Sequence, residues 1–570
     1  MRNWRIYIVF LFLFLAGVAI VGRLVFLQVA NYGFYKALAQ GQQNFSSLVK
    51  GNRGTIFIQD KYGTLYALAT NQEAFFVFVT PHQVTDKEGT AQRLSDILDV
   101  SPEFVAEKLQ NEESLHELIK KRISNEEKIR IESQEMPGVY LGKETIRYYP
   151  HGALAAHVAG FTNQEGQGQY GIEEYYNDTL EGKETLRKTA RNPASYLSLE
   201  LQDFKDADGS DIILTLDYNI QIQAESLLQE ALTNLHIEEG TIIVADVPTG
   251  KILALANIPT FNPNTYFLTE DLAIFQNSAL QKIYEPGSVF KAITMASAID
   301  AGKISPETSY QDKGIVRIGG HKILNYDERI WGERTMAEVL QFSINTGAVF
   351  ASQQLGNKRF LEYLERFEIF KPTRVDLAGE VYSKNTEFKK GYEINFATAS
   401  FGQGIEMTPL QLLKAFSVLA NDGEFTEPFL VERFISPDGV FIQVHEEKDA
   451  TKSIISPKTS SDITAMLVSV IEDGFAKKAR IPGYYLAGKT GTAQVSWSAL
   501  GIQKSGYSDK TVQSFIGYGP AYDPQFLILV KLNNPQTKTA EYSALPIFKK
   551  IAKYVIDYCQ IPPDYEINPI

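Results

Sequence analysis

The chain has a single cysteine, Cys559, in 570 residues, so no intramolecular disulfide can form. Its seven histidines are scattered, with no His-Glu-x-x-His and no Cys/His cluster of zinc spacing, which leaves no obvious metal centre. Basic charge is in deficit: 55 Lys and Arg stand against 68 Asp and Glu, a formal net charge of -13. Nucleic acid is therefore not expected as a general partner, because phosphate binding needs a basic face. Internal repeats and low-complexity tails are also missing. What is present is 44% hydrophobic and 12% aromatic residues with only 22% charged, a balance that buries cores. At about 100–200 residues per domain, the length predicts two to four domains.

After Met-Arg-Asn-Trp-Arg, the chain runs without a charge from Ile6 to Gly22. This run lies near the short limit of about 17–25 residues for a spanning helix. Arg23 interrupts it, but its guanidinium can snorkel while Leu24, Val25, Phe26 and Leu27 prolong the apolar surface. The expected transmembrane anchor covers 6–27. Arg2 and Arg5 on the short leading side place the tail 1–5 inside and the remainder outside the cytoplasm. The competing reading is a cleaved signal peptide. The run exceeds the usual signal core of about 7–15 residues, and no convincing small-x-small site follows it.

Asn52 to Thr70 reads as extended and turn-rich, punctuated by Arg53-Gly54, Asp60 and Tyr62-Gly63. Residues 85–133 are rich in Glu, Lys, Leu and Gln. The spacings Leu94-Ile97-Leu98 and Leu115-Leu118-Ile119 predict a small subdomain of amphipathic helices there. The polar stretch Asp203 to Gly209 is the expected main domain boundary. Beyond it, Asp211–Asp217 reads as a strand and Asn219–Leu235 as a helix. Thr241–Ala245 and Lys251–Ala256 read as a hairpin around Pro248-Thr249-Gly250.

Gly483 to Thr490 matches the phosphate-loop pattern of Gly, four residues, Gly-Lys-Thr. A phosphate loop follows a buried strand and opens a helix. Here Lys477-Lys478-Ala479-Arg480 and Pro482 precede it and strand-like Gly491 to Val495 follows, so nucleotide hydrolysis is not the preferred reading.

The segment Glu285-Pro286-Gly287-Ser288-Val289-Phe290-Lys291 carries more chemistry. Pro286 and Gly287 break the preceding structure, and Ser288 to Ala301 can continue as a helix ending at Gly302. Ser288 and Lys291, three apart, then share a face. A lysine beside a serine hydroxyl can take its proton if burial or a second cation favours the neutral amine. Ser-x-x-Lys alone is a weak signal that an N-capping serine with a solvated lysine also satisfies. Ser343-Ile344-Asn345 and Lys489-Thr490-Gly491-Thr492 change that balance. In the order Ser-x-x-Lys, Ser-x-Asn, Lys-Thr-Gly, the three form the set used by penicillin-recognising serine acyltransferases.

The chain resembles the class B penicillin-binding proteins, membrane-anchored monofunctional peptidoglycan D,D-transpeptidases, over nearly its whole length. Arg23 to Val29 is similar to the family's segment at the outer end of the anchor. Arg53-Gly54-Thr55-Ile56 with Asp60 and Gly63, Arg147-Tyr148-Tyr149-Pro150 with Ala155-Ala156-His157-Val158 and Gly160, and Gly171-Ile172-Glu173 resemble its three pedestal motifs. Leu214 to Asp217 with Ile220-Gln221, and Gly402-Gln403-Gly404 with Thr408 to Leu412, are similar to the entry and a later helix of the catalytic domain. His157 and Glu173 are read as structural.

The resemblance implies an α+β fold: a transpeptidase domain at 211–560, with an antiparallel sheet flanked by helices. Ahead of it stand the anchor and an elongated mixed pedestal, or dimerisation-like domain, at 40–208 with a helical head at about 85–135. It implies that Ser288 attacks the carbonyl between the last two D-alanines of a stem peptide, with Lys291 as its base and Ser343 and Asn345 relaying the proton. Lys489 would favour neutral Lys291. Lys489, Thr490 and Thr492 would bind the terminal carboxylate, with Gly491 in the same substrate-binding strand. The backbone amides of Ser288 and Thr492 would form the oxyanion hole. No metal and no cofactor are expected.

Implied partners are stem peptides, β-lactams, a membrane glycosyltransferase of the shape, elongation, division and sporulation group, and other divisome proteins. Asn345, where many elongation-type relatives carry aspartate, and the overall length favour septal synthesis. The alternatives are an elongation-type transpeptidase, a D,D-carboxypeptidase or β-lactamase, and a non-catalytic β-lactam-binding scaffold.

Overall fold

The structure, a computed structural model, describes residues 4–25, 44–190, 207–444 and 453–566. The chain divides into two compact units, one made of Met1–Asn52 and Glu181–Gly209, the other of Arg53–Leu180 and Ser210–Ile570.

In the first unit, helix α1 runs Trp4–Val25, and strands Asn44–Lys50 and Glu184–Ala190 pair antiparallel with Asn44 opposite Ala190. Among the described residues no helix is long and apolar enough to cross a membrane. The transmembrane helix expected at 6–27 is therefore not shown. Phe26 to Val29 and Asp203 to Asp206, which carried part of the anchor and boundary expectations, lie outside the described residues.

The second unit opens with β1 (Ile56–Gln59) and β2 (Leu65–Val79). The turn between them is closed by the Asp60 carboxylate, which accepts from the Tyr62 and Thr64 amides at 2.9 Å each. Helices α2 (Lys87–Leu98), α3 (Pro102–Gln110) and α4 (Asn125–Ser133) follow within residues 85–135. Their apolar side chains, including Leu94, Ile97, Leu98, Val105 and Leu109, make a separate small core.

One expectation there is corrected. Leu118 and Ile119 do not lie on a helix but on strand β3 (Glu117–Ile123), which pairs antiparallel with β2. Cross-strand pairing of Phe78 with Leu118 and Phe75 with Ile123 outweighs a helical spacing only three residues deep.

Strand β4 (Val139–Tyr148) pairs with the other edge of β2. The later strands are β5 (Asp211–Asp217), β6 (Glu239–Asp246), β7 (Ile252–Ile258), β8 (Val431–Ile435), β9 (Phe441–Gln443), β10 (Ala487–Ser496), β11 (Tyr507–Gly519) and β12 (Phe526–Asn533). One sheet runs β9-β8-β5-β1-β2-β3 with β4 also on β2, and β1 and β5 are parallel. The strand that follows the polar boundary stretch thus continues the pedestal sheet.

Glu173 is 0% exposed and joins two arginines. Arg53 Nε donates to one carboxylate oxygen and Arg147 Nε to the other, both at 2.6 Å, and the Tyr149 hydroxyl adds a third bond at 3.2 Å. Burial alone would raise the Glu173 pKa; the Arg147 and Arg53 guanidiniums outweigh it and hold the carboxyl below its usual range.

The second sheet is antiparallel in the order β7-β6-β12-β11-β10. β12 is buried along nearly its whole length, which requires cover on both faces. Helix α5 (Tyr218–Leu235) packs on β7 and, beside it, α11 (Ala544–Cys559) packs on β11 and β12, while α6 (Lys291–Asp300), α9 (Pro409–Ala420) and α10 (Pro457–Glu472) form a second group. α5 starts at the Asp217 carboxylate, which accepts from the Asn219 and Ile220 amides. α9 has a Thr408/Gln411 capping box and Pro409 in its first turn, and it is buried on every side.

Candidate active site

Three chain segments, each shaped by local sequence, converge beside β10. Gly287–Phe290 forms a single tight helical turn, and α6 continues from Lys291. Ser288 is partly exposed and Lys291 fully buried. Gly402, at φ +80°, lets its loop close over this turn: a Cβ there would lie 2.1 Å from the Gly287 carbonyl oxygen.

The second segment joins α7 (Met336–Gln341) to α8 (Asn345–Leu355). Between them Ser343 sits at φ +54°, the left-handed region that disfavours side chains with a Cβ. This wall rests on Asp312, 1% exposed. Its carboxylate accepts from Thr346 Oγ1 at 2.7 Å, Asn325 Nδ2 at 2.9 Å, and the Gly314 and Trp331 amides at 2.8 Å each.

The third segment is β10 itself, the last strand of its sheet. Its alternation sends Thr490, Thr492 and Gln494 to the cleft and buries Lys489, Gly491 and Ala493. Gly491 does not line the cleft; a Cβ there would fall 2.5 Å from Ser514 Oγ and 3.0 Å from the Pro286 carbonyl oxygen, so the glycine lets the strand approach the nucleophile turn. The phosphate-loop match thus ends on a strand, with Ala487 to Thr490 in β10, and opens no helix.

Lys291 Nζ lies 3.0 Å from Ser288 Oγ, 3.2 Å from Ser343 Oγ, 2.6 Å from the Ser343 carbonyl oxygen and 2.8 Å from Asn345 Oδ1. The Asn345 amide donates onward to the Leu324 carbonyl at 2.9 Å, which fixes which end of the side chain faces the lysine. Burial first, and the Lys489 charge second, push the Lys291 ammonium well below the ordinary lysine range. A neutral amine has two N–H groups and one lone pair. The two carbonyl-type oxygens, at the shortest distances, take the N–H groups, and the lone pair is left for the Ser288 hydroxyl.

Lys489 Nζ donates to Ser343 Oγ at 3.0 Å and to the Thr490 carbonyl at 3.2 Å. It is 1% exposed and lies beneath the cleft instead of lining it. Burial pushes its ammonium down to about 7. Thr492 Oγ1 accepts from the Ala540 amide at 3.3 Å. Ser288, Lys291, Ser343, Asn345 and Lys489 therefore form one hydrogen-bonded chain, with Thr490 and Thr492 facing the same cleft.

The cleft has a volume of about 680 Å³. Its rim includes Asp327, Arg329, Phe342 and Lys538, none of which the sequence motifs marked. They sit in irregular segments with no periodic signal, and only chain folding brings them to the serine. Among the described residues no group of His, Cys, Asp or Glu is placed to hold a metal ion.

Residues 240–553 match the penicillin binding protein transpeptidase domain, and residues 48–214 the penicillin-binding protein dimerisation domain. The chain is 32% identical to stage V sporulation protein D of Bacillus subtilis over 91% of this chain and 81% of that relative. It is 31% identical to a probable peptidoglycan D,D-transpeptidase of Pseudomonas aeruginosa over 99% of this chain and 96% of that relative. The crystal structure of penicillin binding protein 3 of Mycobacterium tuberculosis in complex with aztreonam superposes with a TM-score of 0.69 at 25% identity, covering 91% of this chain and 98% of that one. The chain belongs to the class B penicillin-binding proteins, the peptidoglycan D,D-transpeptidases in which a dimerisation domain precedes the transpeptidase domain.

Proposed function

We infer that this chain cross-links peptidoglycan stem peptides through an acyl-enzyme on Ser288. The observation that supports it most directly is the Lys291 amine 3.0 Å from Ser288 Oγ, buried and held by two carbonyl-type acceptors. Lys291 takes the hydroxyl proton as Ser288 Oγ bonds to the penultimate D-alanine carbonyl carbon. The C–N bond to the last D-alanine then breaks, and Ser343, between the two lysines, passes a proton to the departing amine. The Ser288 and Thr492 backbone amides stabilise the oxyanion, each such donor being typically worth about a hundred- to a thousand-fold in rate. The Thr490 and Thr492 hydroxyls bind the terminal carboxylate, and the Lys489 charge acts on it from below. An amine of a second stem attacks the ester, and Ser288 is released with its proton restored. A β-lactam acylates the same serine.

The uncharged run Ile6–Gly22, with Arg2 and Arg5 before it, supports a single-pass anchor that leaves the catalytic domain outside the cytoplasm. We assign the chain to septal synthesis on Asn345 and length, working with a membrane glycosyltransferase and divisome proteins, and place its domains at 40–208 and 211–560.

Labelling with fluorescent penicillin, wild type against Ser288→Ala, tests the nucleophile: equal labelling of both sinks the assignment. Incubation with stem pentapeptide and an amine acceptor separates transferase from hydrolase. Release of free D-alanine without any cross-linked product would mark a carboxypeptidase.

A further inference from the structure

The rim of the active cleft carries a charge pattern that the acylation chemistry does not use. Asp327 stands on the wall that holds Asn345, and Lys538 on the opposite wall, after β12 and beside Thr492. Lys538 Nζ and Arg329 Nη2 each lie 3.7 Å from Asp327 Oδ2. Side-chain exposure is 73% for Lys538, 47% for Arg329 and 42% for Asp327. Glu541, also at the cleft, is already engaged by Lys478 at 3.2 Å.

Ion pairs this long and this exposed are weak, so a ligand can exchange them. An ammonium alone would take Asp327 from both Lys538 and Arg329 and leave those two cations unmatched. A group carrying both charges on one carbon replaces the pair with two, its carboxylate to Lys538 and Arg329 and its ammonium to Asp327. Asp327 and Glu328 are both held in the left-handed region, at φ +53° and +54°, so the rim keeps an unfavourable backbone to present this wall.

We propose that Asp327, Arg329 and Lys538 select donor stems whose third residue ends in a zwitterionic amino-acid group, a diaminodicarboxylic side chain, over stems ending in an ammonium alone. The proposal rests on the transpeptidase reading and deepens it by naming the substrate class.

The test compares kcat/KM for D-alanine release from two pentapeptides identical except at position three, one with meso-diaminopimelate and one with L-lysine. The readout is the ratio within each variant, which cancels any general loss of activity or folding. Wild type is expected to favour the diaminopimelate peptide by about three- to thirty-fold, the range that two exposed ion pairs supply. Lys538→Ala and Asp327→Asn should each bring the ratio toward one, and Lys538→Arg should retain it. A wild-type ratio of one, or a preference that survives Lys538→Ala undiminished, overturns the proposal. Loss of penicillin labelling in wild type is a separate result that overturns the transpeptidase reading itself.

Discussion

Lys291 and Lys489 meet at one atom: Ser343 Oγ lies 3.2 Å from the first amine and 3.0 Å from the second. Two buried amines sharing one hydroxyl cannot both be charged without strong mutual repulsion, and the hydroxyl can pass a proton between them. With Lys291 as the proposed base, the protonation of the pair would govern when Ser288 can be deprotonated.

The acid limb of acylation reports this directly. The base form of Lys291 exists above its lowered pKa, so acylation by benzylpenicillin should rise with pH until that amine is fully neutral. In Lys489→Met the second charge is gone and the Lys291 pKa moves up. The limb should shift to higher pH, with a fall of about a hundred-fold or more at pH 7. Stopped-flow acylation from pH 5 to 9 decides it; an unmoved limb would remove Lys489 as the group that tunes Lys291.

Ser343 separates strain from chemistry. Its φ of +54° costs a residue with a Cβ roughly 1 kcal/mol that glycine does not pay. Ser343→Gly should be more stable than Ser343→Ala by about that amount in urea unfolding, yet both should lose acylation alike. If activity follows stability between the two, the hydroxyl is not part of the relay.

Glu285, three residues before the nucleophile, accepts from Tyr507 Oη at 3.0 Å, and burial pushes its carboxyl up to about 7 despite the Gly404 amide and Tyr507 hydroxyl. Between about pH 4.5 and 7 the folded protein then holds a proton that the unfolded chain has lost. Stability must fall as pH rises through that window. Glu285→Gln should flatten this slope, so its stability relative to wild type is greater at pH 7.5 than at pH 4.5. Denaturant midpoints at the two values test it, and parallel curves would refute it.

Glu173 is the counter-ion of two buried arginines. Removing one partner of a buried pair leaves uncompensated charge, so Glu173→Ala should cost about 3–5 kcal/mol. Because the residue lies in the pedestal, the protein that remains folded should still be labelled by penicillin. A melting temperature within a degree or two of wild type would show that the arginines find other partners.

Short-range pattern in the chain was sufficient for much of this. Three ordered motifs pointed to Ser288, Lys291, Ser343, Asn345 and Lys489, and the strand Asp211–Asp217 and the helix after it follow from local periodicity. Periodicity failed at Leu118 and Ile119, where pairing with a distant strand chose β over α. Glu173 was visible as a motif residue, but its role required Arg53 and Arg147, 120 and 26 residues away, to close on it.

By itself, then, the sequence determined which side chains could do the chemistry and on what kind of local element each would sit, because propensity, capping and spacing act over a few residues. Only the tertiary structure decided that Lys291 is buried close enough to Lys489 for its pKa to be pushed down, that Lys489 lies beneath the cleft, and that Asp327 and Lys538 face each other across its mouth. Burial and Coulomb interaction depend on distance in space, and these partners are separated by 52 to 211 residues of chain.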